Sequence, residues 1–199
     1  MSRDPSHRLF TAVLPPREII AQLDDALELP RSLSGPAVRW SPLENWHVTL
    51  LFTPTVAEHA LDDYAAALAG VAAQAAPFPL AVRGGGAFPR LAAARHLIAL
   101  LDDPGEGLPA LAVGCRRVAG PLGIGFEHRP YQPHLTLARL DRPADQSTNE
   151  PWLARLHTSG WRADRLALVE SVQGPRNHSQ YTVVESWPLT GRPQQRPAG

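Results

Sequence analysis

Apolar positions along this chain of 199 residues switch repeatedly between two spacings. Steps of three or four predict helices, and alternation or short apolar blocks bounded by Pro and Gly predict strands. Residues 8–16, "RLFTAVLPP", predict a strand closed by prolines, and residues 17–29 an amphipathic helix. Two short strand-like runs follow at 37–40 and 45–52. Residues 57–76 place Leu61, Tyr64, Leu68 and Val71 on one helical stripe. Residues 78–88 predict a strand with a glycine-rich break, "RGGGAF", which reads as a mobile loop, and 95–102 a buried strand. A third helix is expected over 107–120, closed by Gly120, then a strand over 131–140. Residues 149–160 predict a short helix, with Pro151 in its first turn and Gly160 at its end. Residues 162–172 and 180–189 predict an antiparallel pair joined by the turn-like "QGPRNHS". Helices inserted between strand pairs argue for an α+β fold. Residues 1–190 read as one domain, and the Pro/Gly/Gln-rich residues 191–199 as a disordered tail.

Within this pattern one polar insertion occurs twice. "HVTL" begins at His47 and "HLTL" at His134, each inside a strand-like run and one in each half of the chain. Alternation along a strand puts His47 with Thr49, and His134 with Thr136, on one face; the apolar partners point the other way. A solvated strand edge would explain one copy, but gives no reason for the same order twice. If the halves are related by a two-fold axis, two imidazoles and two hydroxyls converge on one groove. One neutral imidazole can then deprotonate a water while a protonated one donates to a leaving oxygen. Such a pair suits in-line displacement at phosphorus, with the threonine hydroxyls holding the phosphoryl oxygens, and calls for no cofactor.

Other chemistries fit less well. Catalytic zinc normally takes three protein ligands, often from a close pair such as H-E-x-x-H, and the sequence has no such pair. It also lacks the G-x-S-x-G elbow of a serine hydrolase.

Composition narrows the class further. Hydrophobic residues make up 44% and charged residues 19%, and the net charge is zero. All the basic residues are arginine, which reads as compositional bias. A neutral chain is not expected to coat long duplexes, so a nucleic-acid partner would be touched at a short end. Cys115 is the single cysteine, which precludes an internal disulfide, fits a reducing compartment and reads as a small buried hydrophobe. No apolar run reaches the length of a signal peptide or a membrane helix, so a cytoplasmic protein without membrane contact is expected.

These segments together resemble the 2H phosphoesterase superfamily, and within it the RNA 2′,3′-cyclic phosphodiesterases, historically called 2′-5′ RNA ligases. "RLFTAVLPP" looks like the opening strand, "VRWSPLENWHVTLLF" and "RPYQPHLTLARL" like the two motifs, "GAFPR" like a recurrent loop, and "LVESVQG" with "YTVVESWPL" like the closing hairpin. The resemblance implies a bilobal fold, two antiparallel-sheet lobes with outer helices around a central cleft. It implies hydrolysis of a terminal RNA 2′,3′-cyclic phosphate to a 2′-phosphate, with His47 as proton donor and His134 as base. Thr49 and Thr136 would hold the phosphoryl oxygens. RNA 3′ ends or small cyclic nucleotides are the implied partners of a monomer. The alternatives are 2′-5′ joining of tRNA halves, and a nucleotide-binding module with little turnover. One departure from the family is Phe52 followed by Thr53 and Pro54, where a glycine is usual. That change is expected to alter the exit from the strand.

Arg139 follows the second motif and could stabilise phosphate charge. Strict alternation, however, puts it opposite His134, so a bulge is needed to bring it round. Tyr131 and Phe10 are candidates to stack on a base. Arg129 reads as a solvated arginine that could steer phosphate, and Trp46 as packing. His7, His59, His96, His128, His157 and His178 lack the threonine partner and read as surface or local hydrogen-bonding residues.

Overall fold

The structure is a computed structural model and describes residues 5–174 and 179–192. In chain order the elements are β1 (Ser6–Val13), α1 (Arg17–Leu33), β2 (Val38–Trp40), β3 (Val48–Ala57), α2 (Leu61–Gln74), β4 (Phe78–Phe88) and β5 (Ala94–Asp102). Then come α3 (Gly107–Ala119), β6 (His134–Ala144), α4 (Glu150–Leu153), β7 (Trp161–Ala163), β8 (Arg165–Gln173) and β9 (Ser179–Pro188). The fold is α+β, as the mixed pattern predicts.

All strand pairings are antiparallel, in the order β7-β4-β5-β6-β3-β1-β8-β9, with β2 also on β6. The two motif strands, β3 and β6, are central neighbours. Outward from them run two four-strand halves, β3-β1-β8-β9 and β6-β5-β4-β7. The chain interleaves these lobes: after β3 it crosses to β4 and β5, and after β6 and β7 it returns to β8 and β9. The halves join at a single ladder position, Val48 opposite Leu135.

Three helices cover one face of this sheet. Ile19, Leu23 and Leu27 of α1, Tyr64, Leu68 and Val71 of α2, and Leu108, Leu111 and Cys115 of α3 share a core with Leu50, Leu135 and Leu168 from the strands. Gly114 of α3 lets α2 approach closely, since a Cβ there would stand 2.8 Å from Val71 Cγ1. Cys115 is buried, and burial pushes its thiol up to about 11, in keeping with a small hydrophobe.

Several boundaries differ from the sequence pattern. Helix α1 runs past Pro30 to Leu33; Arg31 in its last turn pairs with Asp24 and lies over the Trp40 and Trp46 rings. Gly120 keeps right-handed helical angles, and the left-handed residue after α3 is Gly123. The helix expected over 149–160 shrinks to α4. Residues 156–158 are drawn to the sheet instead: Gly84 N–H donates to Leu156 O at 2.6 Å, and Val82 N–H to Thr158 Oγ1 at 3.1 Å.

The glycine run is correspondingly not a mobile loop but part of a continuous β4, with Gly85 and Gly86 paired to Ala99 and Ile98. Gly84 takes φ +83°, and a Cβ on Gly85 would stand 2.6 Å from Leu153 Cδ2 and 2.8 Å from Ile98 O. The strand expected over 162–172 is two strands, one in each lobe, divided at Asp164. Pro54 falls inside β3 at an irregular step of its pairing with β1, where no ladder N–H is required. The expected tail begins in order, with Gly191 N–H donating to Ala75 O at 2.9 Å. Residues 193–199, and 175–178 of the expected turn, lie outside the described residues.

Candidate active site

The register at the lobe junction determines which motif residues meet. Carrying Val48↔Leu135 one residue either way sets His47 across from Thr136 and Thr49 across from His134. Each motif histidine therefore stands across the ladder from the other motif's threonine. Both strands then bulge at the same place. Against β1, Thr49 and Leu51 pair with successive residues, so Leu50 is extra; against β5, Thr136 and Ala138 do the same, so Leu137 is extra. Leu50 and Leu137 each lie three residues after the motif histidine. A bulge flips the alternation beyond it. The burial sequence agrees, since Leu50 and Leu51, and likewise Leu137 and Ala138, are buried consecutively. Arg139 is thereby brought to the face of His134 and Thr136, as its candidacy requires, and Phe52 holds the corresponding place on β3.

The two histidines are oriented alike. His47 Nδ1 lies 2.6 Å from Asn45 O, and His134 Nδ1 lies 2.8 Å from Gln132 O. A carbonyl oxygen only accepts, so each Nδ1 carries the proton and Nε2 is left to act. Burial is the main cause that holds His47 down to about 4, with Arg139 and His134 adding repulsion. His134 is also lowered, by burial first and then by Arg139. Arg139 therefore acts electrostatically on both imidazoles.

One cavity is lined by His47, Thr136, Arg139, Arg39, Asn45 and Tyr181, among others. His134 and Thr49 do not line it; the His134 ring stands edge-on to Phe88, with centroids 4.8 Å apart. Phe10 is 4% exposed and lies 4.6 Å from the His47 ring, so it supports the imidazole from below and offers no open platform for a base. Tyr131 is not brought to the groove. It packs against the main core with its hydroxyl buried and unbonded, near Asp103 and Cys115.

Arg129 is exposed and stands 3.5 Å from Glu127, and Trp46 is buried in the core. His7 lies between Glu58 and Glu170 at 2.5 and 2.6 Å, His128 is against Phe126, and His157 Nδ1 donates to Arg155 O. His178 lies outside the described residues.

Sequence reasoning singled out neither the cavity-lining Arg39, Asn45 and Tyr181 nor Phe88 beside His134. Tyr181 of β9 meets His47 edge-on at 5.3 Å and Phe10 at 5.1 Å. Phe88 and His96 belong to one row of paired residues that continues into Arg139. No local signal marks Tyr181, Phe88 or His96, because each is placed by pairing with a distant strand.

The comparisons with known proteins point one way. The curated RNA 2′,3′-cyclic phosphodiesterase of Thermus thermophilus is 34% identical over 209 aligned positions, covering 96% of this chain and 99% of that protein. The crystal structure of TT0787 of Thermus thermophilus superposes with a TM-score of 0.78 at 32% identity, over 92% of this chain and 98% of that one. Escherichia coli LigT, crystallised with 3′-AMP, gives a TM-score of 0.69 at 25% identity, over 94% and 99% of the respective chains. The 2′-5′ RNA ligase superfamily profile matches residues 15–175, and with this full-length likeness the chain belongs to that superfamily, the 2H phosphoesterases.

Proposed function

We propose that this protein hydrolyses the terminal 2′,3′-cyclic phosphate of RNA to a 2′-phosphomonoester, using His47 and His134 as a general acid and base pair without a metal. The observation that carries the reading is the mirrored pair of imidazoles. Each is fixed through Nδ1 by a carbonyl two residues upstream, on strands whose register crosses histidine with threonine. The name of the Thermus thermophilus relative supplies the substrate.

The cyclic phosphate enters between the lobes, with Thr49 and Thr136 hydroxyls donating to its non-bridging oxygens. His134 Nε2 takes a proton from water, whose oxygen attacks phosphorus. The P–O3′ bond breaks, and His47 Nε2–H delivers the proton to the leaving 3′ oxygen. The acid then carries the base's former neutral state and the base carries the proton; exchange with water resets both. Arg139 holds positive charge beside the pair and stabilises the charge that builds on the phosphoryl oxygens.

His47 is held neutral in the free protein, so its proton must arrive with the anionic substrate. The donors facing the two imidazoles are hydroxyls and a guanidinium, which suit a phosphoryl anion better than a metal ion. A 2′-5′ ligation is the same displacement with an RNA 5′-hydroxyl in place of water, and the same residues would serve it.

The test is product analysis on an RNA ending in 2′,3′-cyclic phosphate, with EDTA present throughout. A 2′-phosphomonoester is the expected product. His47→Ala and His134→Ala should each slow turnover by about a hundredfold to ten-thousandfold. Turnover that disappears in EDTA, or that survives either substitution, would remove the mechanism. An added 5′-hydroxyl acceptor separates hydrolysis from joining.

A further inference from the structure

The carbonyl that fixes His47 belongs to a residue whose side chain is also engaged. Asn45 closes a tight turn, Leu43–Asn45, in which its own N–H donates to Pro42 O at 3.0 Å and the N–H of buried Trp46 donates to Leu43 O at 3.1 Å. Its main-chain oxygen accepts from His47 Nδ1 at 2.6 Å. Its side-chain Nδ2 donates to Ser179 O, on the first residue of β9, at 3.2 Å. A carbonyl oxygen only accepts, so the amide is oriented with its nitrogen toward β9. One residue thus bonds His47 with its backbone and the outermost strand of the same lobe with its side chain.

That strand in turn reaches His47 directly. Tyr181, two residues beyond Ser179, stands edge-on to the imidazole at 5.3 Å. Asn45, His47 and Tyr181 line both the groove cavity and a second, smaller hollow that Phe10, Leu14 and Val183 also line. The three therefore stand between two open spaces. Atoms that border a void lose those packing contacts outright, so packing alone holds such a ring weakly. Its aim then depends on the hydrogen bond at Nδ1 and on what keeps the acceptor still. At His134 the matching residue, Gln132, is exposed and makes no side-chain hydrogen bond among the described residues. There the neighbouring Tyr131 packs into the core instead.

We propose that the Asn45 side chain is a positioning residue for the acid step: its bond to β9 steadies the carbonyl that aims His47 Nε2 at the leaving 3′ oxygen. This rests on His47 being the acid of the proposed reaction. Asn45 acts through His47 and does not touch the reacting atoms. The tie therefore matters only where the leaving atom needs a proton.

The experiment varies that atom. A dinucleotide ending in 2′,3′-cyclic phosphate is compared with its analogue in which sulfur replaces O3′. In the analogue water attacks phosphorus, His134 takes its proton, and the P–S bond breaks with the electron pair staying on sulfur as a thiolate. A thiol ionises at about pH 8.5, far below an alcohol, so this leaving group needs no donated proton. Wild type, His47→Ala, Asn45→Ala and Asn45→Leu, which keeps the length without a donor, are measured on both. On the oxygen substrate the two Asn45 variants should lose about tenfold in kcat, as one lost hydrogen bond allows, with KM within about twofold. On the sulfur substrate both should return to within about threefold of wild type, and His47→Ala should recover with them. A variant that is only less well folded loses rate on both substrates and does not imitate this result. An unchanged kcat on oxygen, a rise in KM in its place, or a loss that persists on sulfur while His47→Ala recovers overturns the tie alone. A wild type that does not cleave the sulfur substrate, or a His47→Ala that does not recover on it, overturns the acid assignment and the tie with it.

Discussion

His47 and His134 commit Nδ1 to carbonyls of their own approach segments, so the orientation of both rings is set before any ligand arrives. For His47 this has a consequence in protons. Burial, then Arg139 and His134, hold it at about 4, whereas an acid at neutral pH must be charged. A phosphoryl anion between the lobes reverses the local field and raises that value. Binding a nucleotide at neutral pH should therefore take up a proton, and affinity should weaken as pH rises. Calorimetry in two buffers of different ionisation enthalpy reads the uptake, with His47→Gln as the control that removes its share of it. Identical proton counts for the two proteins would contradict the assignment of His47.

His7 shows the opposite shift. Hydrogen bonds to Glu170 and Glu58 raise it above its ordinary value of 6.5. Its stabilisation is therefore complete below about pH 6.5 and fades as pH rises through the raised value. Thermal melts should show the gap between wild type and His7→Gln widest near about pH 6 and narrowing in alkali.

At the scale of elements, β4 combines two demands that the sequence pattern alone could not reconcile. A strand needs side chains to pack, yet its middle is Gly84, Gly85 and Gly86. The reason is α4: its Leu153 and the Ile98 carbonyl occupy the space that a Gly85 side chain would need. Gly85→Ala should destabilise the protein by about 1–3 kcal/mol, read as a lower denaturant midpoint, because backbone cannot yield as a side-chain tip can. The segment after α4 failed as a predicted helix for the same reason, since residues 156–158 bond to β4 and tertiary pairing overrode the local pattern.

Where the pattern is local it read true. The His-x-Thr faces of β3 and β6, and the stripes of α1, α2 and α3, follow from spacing within one element. What was illegible depends on distant partners. Arg139 reaches the groove only through the Leu137 bulge, and Tyr181 only through the pairing of β9 with β8. Tyr131, a candidate only by its aromatic type, lies before the start of β6 at His134 and packs into the core.

For the whole molecule, the decisive feature is that a neutral chain sets Arg39 and Arg139 together in one groove with motif residues His47 and Thr136. Nineteen basic residues offset nineteen acidic ones, so there is no general field to draw in a polyanion. Association with RNA should release only the counterions of the phosphates held in the groove. Each neutralised phosphate of a single strand contributes a slope of about −0.7 in log affinity against log salt. One phosphate held by the motif residues and Arg139 predicts a slope of about −0.7. If the groove alone holds RNA phosphates, that slope should not change when the RNA is lengthened upstream. The measurement is the salt dependence of kcat/KM for cyclic-phosphate RNAs of increasing length. A slope that steepens with every added nucleotide would reveal an extended RNA track outside the groove, and the groove would then be only the end of a longer binding surface.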